Sequence, residues 1–119
     1  MATDKRTSPI TVTIANGASL SGVAAVKGHK LAGLIIPSAW TAATITFAVS
    51  DSAAGTFVPL YDDTGTEITV ASVAASHAIA LDTIAGSICQ WGFIKVRSGT
   101  SGSPVTQGAD RAIIVVVKE

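Results

Sequence analysis

Apolar and polar residues alternate with period two along much of this chain. Ile10-Thr11-Val12-Thr13-Ile14 puts three aliphatic side chains on one side and two threonines on the other, which is the mark of a strand with one buried face. Thr44 to Ser50 repeats the pattern, so Ile45, Phe47 and Val49 are expected to face inward. From Ile88 to Ser98 the reading is one long strand, with Ile94 and Val96 facing one way and Lys95 and Arg97 the other. Lys30 to Ile36 is a mostly apolar run stopped by Pro37-Ser38, because proline cannot donate to a ladder. Ala112 to Val117 is apolar at every position. That predicts a strand covered on both faces, in part by another subunit.

Turn residues separate these runs. Asn16-Gly17 suits a tight hairpin turn whose two central residues both take positive φ, with Ala18 to Val26 as the return strand or a loose edge. Asp51 to Gly55 is a turn by composition. Asp62-Asp63-Thr64-Gly65 reads as a hairpin loop between Thr56–Tyr61 and Glu67–Val73, with Gly65 in the left-handed region. His77 to Leu81 is a short strand, and Asp82 to Ser87 one helical turn capped by Asp82. No 3.6-residue stripe persists for three turns. The expectation is an all-β, single-domain β-sandwich or jelly roll of eight or nine short strands over residues 9–119. Residues 1–8 are read as a flexible polar arm.

Composition changes the picture in one respect. Only 13% of the 119 residues are charged, against about 25% in an average soluble domain. Eight basic residues are balanced by eight acidic ones, and aromatics make up 5%. The exterior must therefore be built from Ala, Ser, Thr and Gly, a surface weakly defended against association. A homo-oligomer is expected. Zero net charge and scattered basic residues argue against nucleic acid as a partner, which needs a basic stripe to displace counterions. Leu31 to Ser50 is uncharged but holds Pro37, several threonines and an alternating end, so it is not read as a membrane span.

The residues that could carry chemistry are few. His29, His77 and Cys89 are the only histidines and the only cysteine, and no serine lies in a G-x-S-x-G elbow. No enzyme activity and no cofactor are expected, and Cys89 is read as a small buried apolar residue. Asp62 to Glu67 is the densest acidic stretch. It lacks the alternate spacing of a calcium loop and is read as a solvated turn, with a weak calcium site kept open. Sugar binding would need exposed aromatics, and Trp40, placed after Pro37-Ser38, is the best candidate among Trp40, Tyr61, Trp91 and Phe93. Asp110 and Arg111 are adjacent and would point to opposite faces. Arg111 either bonds loop carbonyls or an acid across the loop, or serves with Asp110 as an edge charge.

Three stretches carry a family resemblance: "LIIPSAWTAATITFAVSDSAAGTFVPLYDDTGTEITV", "WGFIKVRSGTSGSPVTQGADR" and the apolar ending. Together they resemble small virion proteins of tailed bacteriophages, over roughly Leu31 to Val117. The most specific parts are Ile36 to Thr41, and Arg97 to Thr100 through Asp110-Arg111. The resemblance implies a structural subunit of the virion, assembled in the host cytoplasm. Its implied role is capsid decoration or cement, docked on the major capsid protein or other virion proteins, with a trimer favoured. It brings no catalytic residues. Trp91 to Arg97 is also similar to the central strand of galactose-binding-like jelly rolls, and the alternative function is a carbohydrate-binding module on a fibre or tail component. The expected contact residues are Lys5 and Arg6 in the arm, Trp40, and Ser98, Gly99, Pro104, Gln107, Asp110 and Arg111 in and beside the last long loop.

Overall fold

The computed structural model describes residues 7–27, 29–81 and 91–118. Lys5, Arg6, the turn expected over Asp82 to Ser87, and Cys89 lie outside the described residues. Eight strands follow in chain order: β1 (Thr7–Ile14), β2 (Ala24–Ala25), β3 (Lys30–Ile35), β4 (Ile45–Ser50), β5 (Val58–Pro59), β6 (Ala78–Ala80), β7 (Phe93–Ser98) and β8 (Arg111–Lys118). Among the described residues there is no helix.

The strands form two four-stranded sheets, ordered β1-β8-β3-β6 and β2-β7-β4-β5. Every pairing is antiparallel. The order has a simple reading. β1 pairs with β8, β2 with β7, β3 with β6 and β4 with β5, as in one long two-stranded ribbon doubled back at the β4–β5 turn. Rolling that ribbon up adds the pairings β3·β8 and β4·β7 and closes two sheets over one core. This is the jelly-roll form of the β-sandwich. The radius of gyration, 13.6 Å, matches the roughly 13.5 Å of one domain of this length.

The core lies between the sheets. Val12, Ile14, Leu31, Leu34, Ile113, Val115 and Val117 from the first sheet meet Ile45, Phe47, Val49, Ile94 and Val96 from the second. All are removed from solvent, and each such side chain contributes about 1.5–3 kcal/mol. The expected inward set of β4, Ile45, Phe47 and Val49, is in place, but all six residues of β4 are buried. The reason is its position. β4 lies between β7 and β5, and its outer side is covered by the chain itself: the Thr46 hydroxyl donates to the Gly99 carbonyl at 2.7 Å, and the Ser50 hydroxyl oxygen accepts from the Ser52 N–H at 3.2 Å. Lys95 beside it lies over the Phe57 ring, with Nζ 4.7 Å from the centroid.

Three expectations need correction. The strand read from Ile10 begins at Thr7, so Thr7 and Ser8 belong to β1, paired with Lys118 and Val117. The rest of the expected arm, residues 1–6, lies outside the described residues. Asn16-Gly17 does not make a hairpin. The turn closes with the Ala18 N–H on the Ala15 carbonyl at 2.9 Å, and only Gly17 takes positive φ, at 80°. One positive φ at the third position is a type II turn, whose twist splays strands apart where a hairpin turn would align them. The chain accordingly leaves the first sheet and enters the second at β2. Third, β8 is covered by its own chain on one face only. Ile113, Val115 and Val117 are buried, whereas Ala112 is exposed and Ile114 and Val116 are half-buried.

Candidate functional site: the loop end of the sandwich

The connections β1–β2, β3–β4, β5–β6 and β7–β8 all gather at one end of the sandwich. Hydrogen bonds between them show it. Gly17 N–H donates to the Gln107 carbonyl at 2.9 Å, Gln107 N–H to the Ala18 carbonyl at 2.9 Å, and Ser76 N–H to the Pro37 carbonyl at 2.9 Å. The Tyr61 hydroxyl lies 3.3 Å from the Ser101 hydroxyl. The described part of the sequence-predicted contact set falls at this end: Trp40, Ser98, Gly99, Pro104, Gln107, Asp110 and Arg111.

Their roles divide into fastening and display. Gln107 is 1% exposed. Its Oε1 accepts from the Thr41 N–H at 2.9 Å and from Arg111 Nε at 3.1 Å, while Nε2 donates to the Thr41 carbonyl at 3.1 Å. The amide thus pairs with Thr41 as a neighbouring strand would. Arg111 also donates from Nη2 to the Thr41 hydroxyl at 3.3 Å, and Gly108 N–H bonds the same hydroxyl at 3.2 Å. Asp110 Oδ1 accepts from the Asn16 N–H at 2.8 Å, which ties the β1–β2 turn to the start of β8. Arg111 therefore bonds the loop and Asp110 the neighbouring turn, each within the chain.

Ser98 and Gly99 are fasteners too. The Ser98 hydroxyl donates to the Val105 carbonyl, and the Ser98 N–H to the Ser19 carbonyl at 2.8 Å. Gly99 lies beneath Ser103 to Val105, where an added Cβ would meet the Ser103 oxygen at 2.5 Å. Ser98, Gly99 and Gln107 are buried, and within the chain they shape the loop. Pro104 and Asp110 are exposed, and Arg111 is half-buried. Trp40 also departs from expectation. It is half-buried against the core, and its indole N–H donates to the Ala43 carbonyl at 3.4 Å. Tyr61 and Trp91 are the exposed large aromatics.

Two further residues fasten this end, and sequence reasoning had missed them in that role. Glu67 and Arg97 form an ion pair at 3.4 Å with side chains 12% exposed. Glu67 also accepts the Ser101 N–H, at 3.1 and 3.2 Å to its two oxygens, and Arg97 reaches the Thr46 hydroxyl at 3.4 Å. This pair joins the β5–β6 connection to the β7–β8 loop across β4. In the sequence, Arg97 shows only as the polar side of an alternating strand and Glu67 only as the end of an acidic turn.

The acidic loop itself is a self-contained turn. Asp62 Oδ1 accepts from Thr64 N–H at 2.9 Å, the Thr64 hydroxyl at 2.6 Å and Thr66 N–H at 3.0 Å, while Gly65 takes φ 86°. The Thr64 hydroxyl foremost, then the Thr66 N–H, hold the Asp62 carboxyl below the ordinary aspartate range, because they bond its charged form. Among the described residues no three His, Cys, Asp or Glu side chains are placed to hold a metal ion. No buried side-chain nitrogen or oxygen there lacks a hydrogen-bond partner. The end is a set of loops locked in shape, with Tyr61, Gly102 to Pro104 and Gly108 to Asp110 turned to solvent.

No family model matches the chain, and no curated protein matches it. Among solved structures the chain is similar to the crystal structure of the SPBc2 prophage-derived protein YomS. The two share 15% identity, each is covered over 100% of its length, and the TM-score is 0.54. At that identity the likeness concerns the fold alone.

Proposed function

We propose that this chain is a small structural protein of a tailed bacteriophage, a decoration or cement subunit that docks on the major capsid protein or another virion protein. The observation that carries the phage part of this reading is the full-length fold likeness to a prophage-derived protein. The phage-virion resemblance of the Ile36–Thr41 and Arg97–Arg111 segments supports it independently. The structure adds a physical reason. Both segments are spent on locking loops at one end of the sandwich, through Gln107, Thr41, Arg97 and Glu67. Loops held this firmly present a fixed outline at small ordering cost on docking, which suits a subunit bound many times over a symmetric lattice. The low charge fits contacts driven by shape and apolar area.

The test is to mix purified protein with undecorated capsids of its own virus and examine them by electron cryo-microscopy. Decoration predicts density at symmetry-related positions, with the loop end against the shell. Empty capsids at saturating protein would overturn the reading. The carbohydrate alternative needs exposed aromatics. Its first candidate, Trp40, is packed on the core, while Tyr61 at the loop end and Trp91 are exposed, and a glycan panel with Tyr61→Ala as control tests it.

A further inference from the structure

We propose that the outer face of the β1-β8-β3-β6 sheet is a two-fold interface with a second copy of this chain, with β8 lying antiparallel over β8 of its mate. The proposal stands apart from the virion reading, since it concerns a different face and would hold for a free protein.

The two sheets differ in how they treat their outer sides. The second sheet covers the outer side of its inner strand β4, leaving Val58 exposed at its edge strand β5. The first leaves an apolar floor. Side chains alternate along a strand, so burial of Ile113, Val115 and Val117 turns Ala112, Ile114, Val116 and Lys118 outward. On β3 the partner of Ile114 is Ile35, which is 41% exposed. Ala78 and Ala80 on β6 are exposed alongside it. Between them lies a shallow depression of about 320 Å³ lined by Gly33, Ile35, Ala78, Ala80 and Val116. A contiguous apolar floor of Ile, Val and Ala across three strands marks an interaction surface.

Charge selects the occupant. Along the outward row of β8 the order is Asp110, Ala112, Ile114, Val116, Lys118, an apolar tract with an acid just before the strand and a base at its end. The row is self-complementary about Ile114. A two-fold axis lying in the interface and crossing β8 there sets Asp110 of each copy against Lys118 of the other, with Ile114 and Ile35 at the centre. The opposite stacking, with strands parallel, is disfavoured. Lys118 and Lys30 are directly paired across the ladder, so parallel stacking would bring four ammonium groups together. An isologous contact of this kind closes as a dimer, whereas the expected trimer would need a head-to-tail surface.

The area sets the strength. Strands spaced about 4.8 Å apart, running from about 10 Å for the three-residue β6 to about 27 Å for β1 and β8, give a face on the order of 400 Å² per copy. That is about half of what each partner contributes to a standard interface of ~800 Å². The dimer should therefore be weak and reversible.

Sedimentation equilibrium of the full chain, from about 10 μM to 1 mM, tests this. A monomer–dimer equilibrium is expected, weakening with added salt. Ile35→Asp should weaken it at least tenfold while far-UV circular dichroism stays unchanged. Should that variant misfold, Lys118→Glu answers instead: it sets an acid against Asp110 of the mate, leaves the Asp110–Asn16 bond in place, and should weaken pairing at least tenfold. A monomer at every concentration, a trimer, or a Lys118→Glu variant that pairs as tightly as the parent would overturn the proposal.

Discussion

A primary amide can donate two hydrogen bonds and accept two, and Gln107 spends three of these four on Thr41 and Arg111. Replacing it with leucine keeps most of the volume and strands the Thr41 N–H and carbonyl in a part-buried place. Each unmade bond of this kind costs about 1–3 kcal/mol, so Gln107→Leu should lower stability by about 2–4 kcal/mol in urea unfolding. Gln107→Glu should cost less, because a carboxylate still accepts from Thr41 and Arg111 and loses only the donor. Sequence reasoning read Gln107 as a contact residue of the loop, and the structure shows it fastening that loop. A polar residue in a Gly- and Ser-rich loop reads as surface. Its partner Thr41 is 66 residues away, and no local pattern reveals a pairing at that distance.

At the level of strands, alternation told most of the story wherever one face was buried and the other wet. β1, β7 and the inner side of β4 follow it. It failed where the outer face was decided by distant loops, as for β4, or left open, as for β8. It also missed the irregularity in β3, whose register on β8 shifts between Leu31 and Gly33, leaving Ala32 as the extra residue of a bulge. Gly33 sits directly after the bulge and opposite Ala80 of β6. A Cβ there would lie 2.8 Å from the Ile79 carbonyl oxygen, a backbone atom that cannot swing aside. Gly33→Ala should therefore push β6 off β3 and cost about 1–3 kcal/mol. Hydrogen exchange should show the β6 amides losing protection before those of β8, because β6 is a three-residue edge strand. Gly22→Ala, where nothing lies within 4 Å of the added methyl, should leave stability within ~0.5 kcal/mol and serves as the control.

For the whole molecule the governing fact is the doubled ribbon. Its longest ladder, β1·β8, joins the two ends of the chain, and Thr7 sits directly opposite Lys118. In the natural order this ladder can form only after a loop of about a hundred residues closes, and β3·β8 needs a closure nearly as long. The ribbon's one local hairpin, β4·β5, is short, with two paired positions. Joining the ends through the terminal residues and opening the exposed turn between Ala53 and Ala54 reverses that arrangement. β8 and β1 become a hairpin, β3·β8 becomes less remote, and the long closure falls on the small β4·β5 pair. The core and both sheets are unchanged. The permuted chain should therefore reach the same fold, with a urea m-value equal to the parent's and stability within about 2 kcal/mol of it. It should also refold faster, by roughly tenfold in stopped-flow fluorescence. Equal or slower refolding would mean that β1 and β8 associate after the rate-limiting step. The ribbon would then be a description of the finished topology and not of the order in which it assembles.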